Sequence, residues 1–314
     1  MIVALCLVLA GIGIFVTVLA THHWDFTALS KGDFETNTYN VSEDFQRIHI
    51  DTETEDIVFL PAEGDACHLE IVERKKEPHE VYVKDGTLNI LHKEQKSWLF
   101  SLSFFSFESE KITVWLPKAE YEALTIREST GDIQIPTDFT FGKVDVDAST
   151  GDIDCRATVS GNLKITASTG DIRLESLQAG AIQLSLSTGR VEARDVTCAG
   201  SVDISLSTGK TELTSLSCGS FTSDGSTGSV TMKDVTVDGL LQIERSTGSV
   251  HFEDCDAGEL NVQTDTGDVT GTLRSEKIFF AQSDTGSINV PETVSGGKCK
   301  VTTDTGDIQL SVRS

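Results

Sequence analysis

From Ser129 onward, apolar and polar residues alternate with period two, in short runs that break at glycine. A β-branched residue stands two places after each of Gly131, Gly151, Gly170, Gly189, Gly209, Gly228, Gly248, Gly267, Gly286 and Gly306, from Ile133 and Ile153 to Ile288 and Ile308. Two places further on runs a mostly apolar column: Ile135, Cys155, Leu174, Ala193, Leu213, Met232, Phe252, Val290 and Leu310, broken by Gly271. The positions seven and five before each glycine are mostly apolar too, as in Leu163 and Ile165 or Val202 and Ile204. Alternation of this kind predicts short strands with one buried face. Helix is not expected, because no window carries apolar residues at three- and four-residue spacing.

The ten glycines recur every 19 or 20 residues, each inside a Ser/Asp-Thr-Gly corner. A second glycine precedes most of them by nine residues, from Gly142 to Gly297, with Lys277 as the exception. A fixed period of this length means stacked units, each too small to bury its own core. The predicted coil is strand, glycine corner, strand, Ser/Asp-Thr-Gly corner. About ten such coils, spaced ~4.8 Å apart, form an all-β parallel β-solenoid (β-helix) on the order of 45 Å long over residues 129–314. Ile165 should then stack between Val146 and Leu184.

Upstream, Met1 to Ala20 carry no charge and are almost wholly apolar. Twenty helical residues span ~30 Å, so residues 1–21 are expected to be one transmembrane helix, acting as anchor or signal. Residues 22–44 read as a polar stalk and 45–128 as an irregular N-terminal β cap. Within the cap, Thr54-Glu55-Asp56-Ile57 is a degraded corner, and Val81 to Ile90 around Asp85-Gly86 is a hairpin. Trp98, Phe100, Phe104, Phe105 and Phe107 form a dense aromatic patch, expected to close the end of the stack or to face a partner. At the other end, Ile308 and Leu310 lie on a last strand expected to leave an open edge, available for self-association or for an envelope partner.

The charge narrows the choice of partners. With 25 basic and 49 acidic residues the formal charge is −24, which excludes nucleic acid as a partner. Asp265, Asp284 and Asp304 each open an Asp-Thr-Gly triplet of the aspartic-protease type, but they sit in register with the Ser-Thr-Gly copies and read as corners. Asp132, Asp152, Asp171, Asp268 and Asp307 follow their glycines in a column that invites comparison with calcium rolls. Arg190, Lys210, Ser229, Ser249 and Ser287 interrupt that column. The seven cysteines lack metal-type spacing, and most fit inward apolar positions. No catalytic residue, metal or cofactor is expected.

Ser-Thr-Gly-Asp-Ile, recurring from Ser129, together with Lys84-Asp85-Gly86-Thr87-Leu88 and Leu116-Pro117-Lys118, resembles the putative-adhesin family of bacterial envelope proteins. The resemblance spans about Phe45 to Ser314. It implies an anchored, extracytoplasmic β-solenoid without assigned catalytic residues, in a family often linked with envelope-stress systems. The expected function is a non-enzymatic, membrane-anchored binding or adhesion scaffold at the cell envelope, with an envelope protein or glycan as partner. A regulatory partner of an envelope-stress signalling system is the alternative, and a carbohydrate-active enzyme a third.

Overall fold

A computed structural model describes residues 34–75, 78–93 and 110–313. The apolar segment 1–21, most of the stalk and the aromatic patch lie outside these residues. The described chain is all strand and turn, and its strands join one continuous hydrogen-bonded sheet that coils into a parallel solenoid. Among the described residues no helix is long and apolar enough to cross a membrane.

Seven strands build the N-terminal region: β1 (Phe34–Val41), β2 (Arg47–Thr52), β3 (Asp56–Pro61), β4 (Cys67–Arg74), β5 (His79–Lys84), β6 (Thr87–His92) and β7 (Lys111–Leu116). The regular coils comprise β8 (Glu120–Thr130), β9 (Ile133–Ile135), β10 (Thr140–Thr150), β11 (Ile153–Cys155), β12 (Thr158–Glu175), β13 (Gln178–Cys198) and β14 (Ser201–Cys218). They continue as β15 (Ser220–Thr227), β16 (Val230–Lys233), β17 (Thr236–Thr247), β18 (Val250–Thr266) and β19 (Val269–Leu273). The C-terminal end holds β20 (Lys277–Thr285), β21 (Ile288–Asn289), β22 (Gly297–Thr305) and β23 (Ile308–Val312).

The apolar columns face inward in register. Val146 pairs with Ile165 and Ile165 with Leu184, as the period requires. At the Thr-Gly corner the backbone of each coil lies directly on the next. A Cβ on Gly151 would sit 2.0 Å from the Gly131 carbonyl oxygen, and its φ of 136° is one that a side chain resists. The post-glycine aspartates form a ladder: Asp132 Oδ1 accepts from the Asp152 N–H (2.8 Å), and Asp152 Oδ1 from the Asp171 N–H (2.9 Å). The column therefore satisfies corner amides from coil to coil.

Three expectations need correction. The coil has three sides, not two. Six residues after the glycine, Ser176, Asp195, Ser215, Asp234 and Asp254 adopt φ of 52–54°, a left-handed corner that short polar side chains tolerate. Behind it lies a third inward column: Leu177, Val196, Leu216, Val235 and Cys255. The stalk also ends earlier than residue 44, because β1 pairs antiparallel with β4 from Phe34 onward.

The third correction concerns the order of stacking. β22 pairs with β18 on one side and β20 on the other, and β23 likewise lies between β19 and β21. The last coil of the chain is thus inserted between its two predecessors. Residues 274–276 cover the two-coil jump, ~10 Å, which three extended residues can reach. Ile308 and Leu310 are 0% and 3% exposed, so they offer no partner surface. The same insertion occurs at the other end, where β2 lies between β6 and β8, and β3 between β7 and β9.

Candidate functional site

The two ends of the solenoid hold the features that a uniform rod would lack. At the N-terminal end, β2 and β3 meet at Thr54-Glu55-Asp56, where the degraded corner puts Glu55 in the glycine column. Gly131 stacks on it so closely that a Cβ there would sit 2.4 Å from the Glu55 carbonyl oxygen. Antiparallel β4 and the β5–β6 hairpin fold over this corner. The hairpin has the predicted turn, with Asp85 and Gly86 at φ 50° and 71°.

Several ionisable groups are buried together beneath that cover: Glu55, Glu73, His79, Glu110 and Glu128 are each no more than 8% exposed. Glu55 Oε2 accepts the N–H groups of Glu53 (3.0 Å) and Thr54 (2.8 Å), which leaves Oε1 aimed at two imidazoles. His79 Nε2 lies 3.2 Å and His92 Nδ1 3.8 Å from that oxygen, with no aligned hydrogen bond to either. On the far side of the ring, His79 Nδ1 lies 2.6 Å from Glu73 Oε2, which also accepts the His79 backbone N–H (2.6 Å). Glu110 bridges Thr54 and Arg74, and Thr52 donates to Glu128.

Burial opposes ionisation of Glu55, but His79 and the two backbone N–H donors outweigh it and hold the carboxyl below its usual value. Burial likewise opposes a charged His79, while Glu55 and Glu73 together raise its pKa. Glu128 is different. Its burial, reinforced by Glu55 nearby, pushes it up to about 7. None of these residues was singled out in the sequence as a site. They are far apart in the chain and belong to different elements, so no spacing signals them.

At the C-terminal end the outermost coil is β20–β21. Its inner edge pairs with β22 and β23, and its outer edge meets no further strand among the described residues. Thr293 and Ser295 of the loop leading to β22 hydrogen-bond Lys277 O and the Glu276 carboxylate at the start of β20. Beyond it, Ile278, Phe280 and Ile288 are 38%, 55% and 46% exposed. Lys298 lies over the Phe280 ring at 5.7 Å. The open edge expected at Ile308 and Leu310 therefore exists one coil away.

Among the described residues, the other features the sequence raised do not form a reactive site. The Asp-Thr-Gly aspartates occupy corners, not a carboxylate dyad. The described cysteines are all buried and free, and burial pushes the thiols of Cys155, Cys218 and Cys299 up to about 12, far from reactive thiolates. A shallow groove of about 340 Å³ is ringed by Asp224, Glu244 and Asp265. Arg245 beneath it turns inward, its Nη2 donating to Ser223 Oγ at 2.6 Å.

The chain is similar to solved structures from several bacteria. The putative lipid binding protein of Parabacteroides distasonis is 21% identical, with a TM-score of 0.51 over 77% of this chain and 98% of its own. A putative adhesin of Bacteroides fragilis is 13% identical over 90% of this chain and 99% of its own, with a TM-score of 0.40. A putative cell adhesion protein of Clostridium sporogenes is 11% identical, covering 89% and 100%, with a TM-score of 0.26. At 21% identity the likeness to the first of these is one of fold. No curated protein matches the chain in sequence. The Toastrack DUF4097 family model matches residues 45–210 and 199–314, and the chain belongs to that family.

Proposed function

We propose that the protein is a non-catalytic binding scaffold of the bacterial cell envelope. In this reading the apolar segment Met1 to Ala20 tethers it to the membrane and the solenoid stands outside the cytoplasm. The observation that carries the reading is the outer edge of β20 and β21, with Ile278, Phe280 and Ile288 exposed beside it. An unpaired edge beside apolar side chains is the surface to which an extended segment of another protein adds as a further strand. The occupant is a protein partner and not a second copy, because two chains of charge −24 repel each other. The family resemblance supports the envelope location.

The test is a photo-crosslinking residue placed at Phe280 in living cells, with another at the outward-facing His251 as control. The expected result is one discrete envelope-protein adduct from position 280, absent from 251 and lost in the Ile278→Lys variant. Equal labelling from both positions would sink the edge as the binding surface. A solenoid that resists added protease on intact cells, but not on lysed ones, would overturn the location.

A further inference from the structure

We propose that Glu55, His79 and His92 form a binding site for one divalent transition-metal ion of the zinc class, set inside the N-terminal cap. This inference is independent of the β20 edge. Glu55, His79 and His92 each offer one ligand atom, and these three atoms all lie within 4.8 Å of one another. Two of the separations are 3.2 and 3.8 Å, against ~3.3 Å between neighbouring ligands in a tetrahedral site with ~2.0–2.1 Å bonds. The circumcentre of a triangle with those two sides and a third of at most 4.8 Å lies about 2.4 Å or less from each corner. Zinc therefore fits with shifts of a few tenths of an ångström.

The surroundings are those a metal needs. In the tautomer protonated at Nδ1, His79 donates to Glu73 Oε2 at 2.6 Å, which leaves the Nε2 lone pair facing inward. A carboxylate behind a histidine is the usual outer support of a metal-bound imidazole. The backbone donors on Oε2 orient Glu55 in the same way. With that tautomer, the His79 lone pair and a carboxylate oxygen face each other across 3.2 Å, and two acceptors at that distance require a cation between them. Two imidazoles and one carboxylate suit zinc, copper, nickel or cobalt better than calcium or magnesium. The His92 side chain is 14% exposed, which gives the ion a way in and leaves room for water as fourth ligand. The ion would tie the β2–β3 corner to both strands of the β5–β6 hairpin. The competing occupant is a proton shared by His79 and Glu55.

The full chain in detergent, stripped with chelator and titrated with Zn²⁺ alone, decides between them. The expected result is one ion per chain, a rise in Tm at stoichiometric metal, and a tetrahedral-type visible spectrum with Co²⁺. His92→Asn, at the partly exposed ligand, should weaken binding at least ~100-fold, and Glu73→Gln by ~10–100-fold. His251→Asn should match the parent. Should His92→Asn misfold by circular dichroism, the cobalt spectrum of the parent still decides. A parent without a Tm rise or tetrahedral bands, or binding that survives His92→Asn and vanishes on replacing His22 and His23, overturns the site.

Discussion

The two ends of the rod solve one problem differently. Each inserts the coil nearest that end of the described sequence between two others, so that β2–β3 and β22–β23 both have partners on two sides. They differ in what closes the stack. The N-terminal end adds antiparallel β4 and β1 and the β5–β6 hairpin, and buries a cluster of carboxylates and imidazoles beneath them. The C-terminal end adds nothing comparable among the described residues and leaves Ile278, Phe280 and Ile288 in solvent. One end is sealed and the other is open. Repeat proteins rely on terminal capping repeats with a polar outer face to stay soluble, and among the described residues only the N-terminal end carries such a cover.

The contrast between paired interior and open end can be broken most violently in the middle. Ile165→Asp places a carboxylate between Val146 and Leu184 with no partner, so it should cost roughly 4 kcal/mol or more and unfold the rod in thermal melts. A melt within a degree or two of the parent would refute the inward ladder.

The insertion itself is sharpened by two isoleucines of one column. Ile308→Ala, buried between two coils, should cost about 2–4 kcal/mol in urea unfolding. Ile288→Ala, on the outermost coil, should cost less than about 1 kcal/mol. Sequential stacking, with β23 outermost, requires the reverse order. Deleting residues 307–313 should accordingly destabilise the whole C-terminal end and not merely trim it.

The sealed end has its own pH signature. The folded pKa of Glu128 is raised to about 7 from an ordinary 4.5, so the native state holds this proton more tightly than the unfolded chain does. Its effect is to favour the fold below about pH 4.5 and to withdraw that support as pH rises through about 7. Glu128→Gln should therefore raise stability at pH 8 by on the order of 2 kcal/mol in chelator-containing buffer, and flatten the profile between pH 5 and 8. An unchanged profile would remove Glu128 from the account. The smallest effect belongs to the flank. Arg173→Ala breaks exposed ion pairs to Asp152 and Asp171, and its cost should stay under about 1 kcal/mol and shrink further in salt.

Much of this was legible from Ser129 onward because backbone stacking forces the same residue type into the same column. Gly151 cannot carry a side chain, and Ile165 cannot face water, so both leave marks that repeat. The third side of the coil had its mark as well, in Ser176, Asp195, Ser215, Asp234 and Asp254, each followed by an apolar residue. Stacking order left almost none. A period of 19 or 20 residues is the same whether coils stack in chain order or one is slipped between two others, and Lys277 in the glycine column was its sole irregular neighbour in that series. The Glu55, His79 and His92 grouping was invisible for another reason: Glu55 lies in a degraded corner while His79 and His92 lie on the antiparallel β5–β6 hairpin, so its members share no column.

Slipping the first described coil between two neighbours also determines how the molecule bears load. A pull transmitted from the N-terminal side passes through β1 and reaches β2, which is held by β6 and β8 at once. An outermost strand would peel away one hydrogen bond at a time along a single seam. A strand held on both sides must shear two seams together before the rod gives way, so the first coil is fastened within the stack and not at its rim.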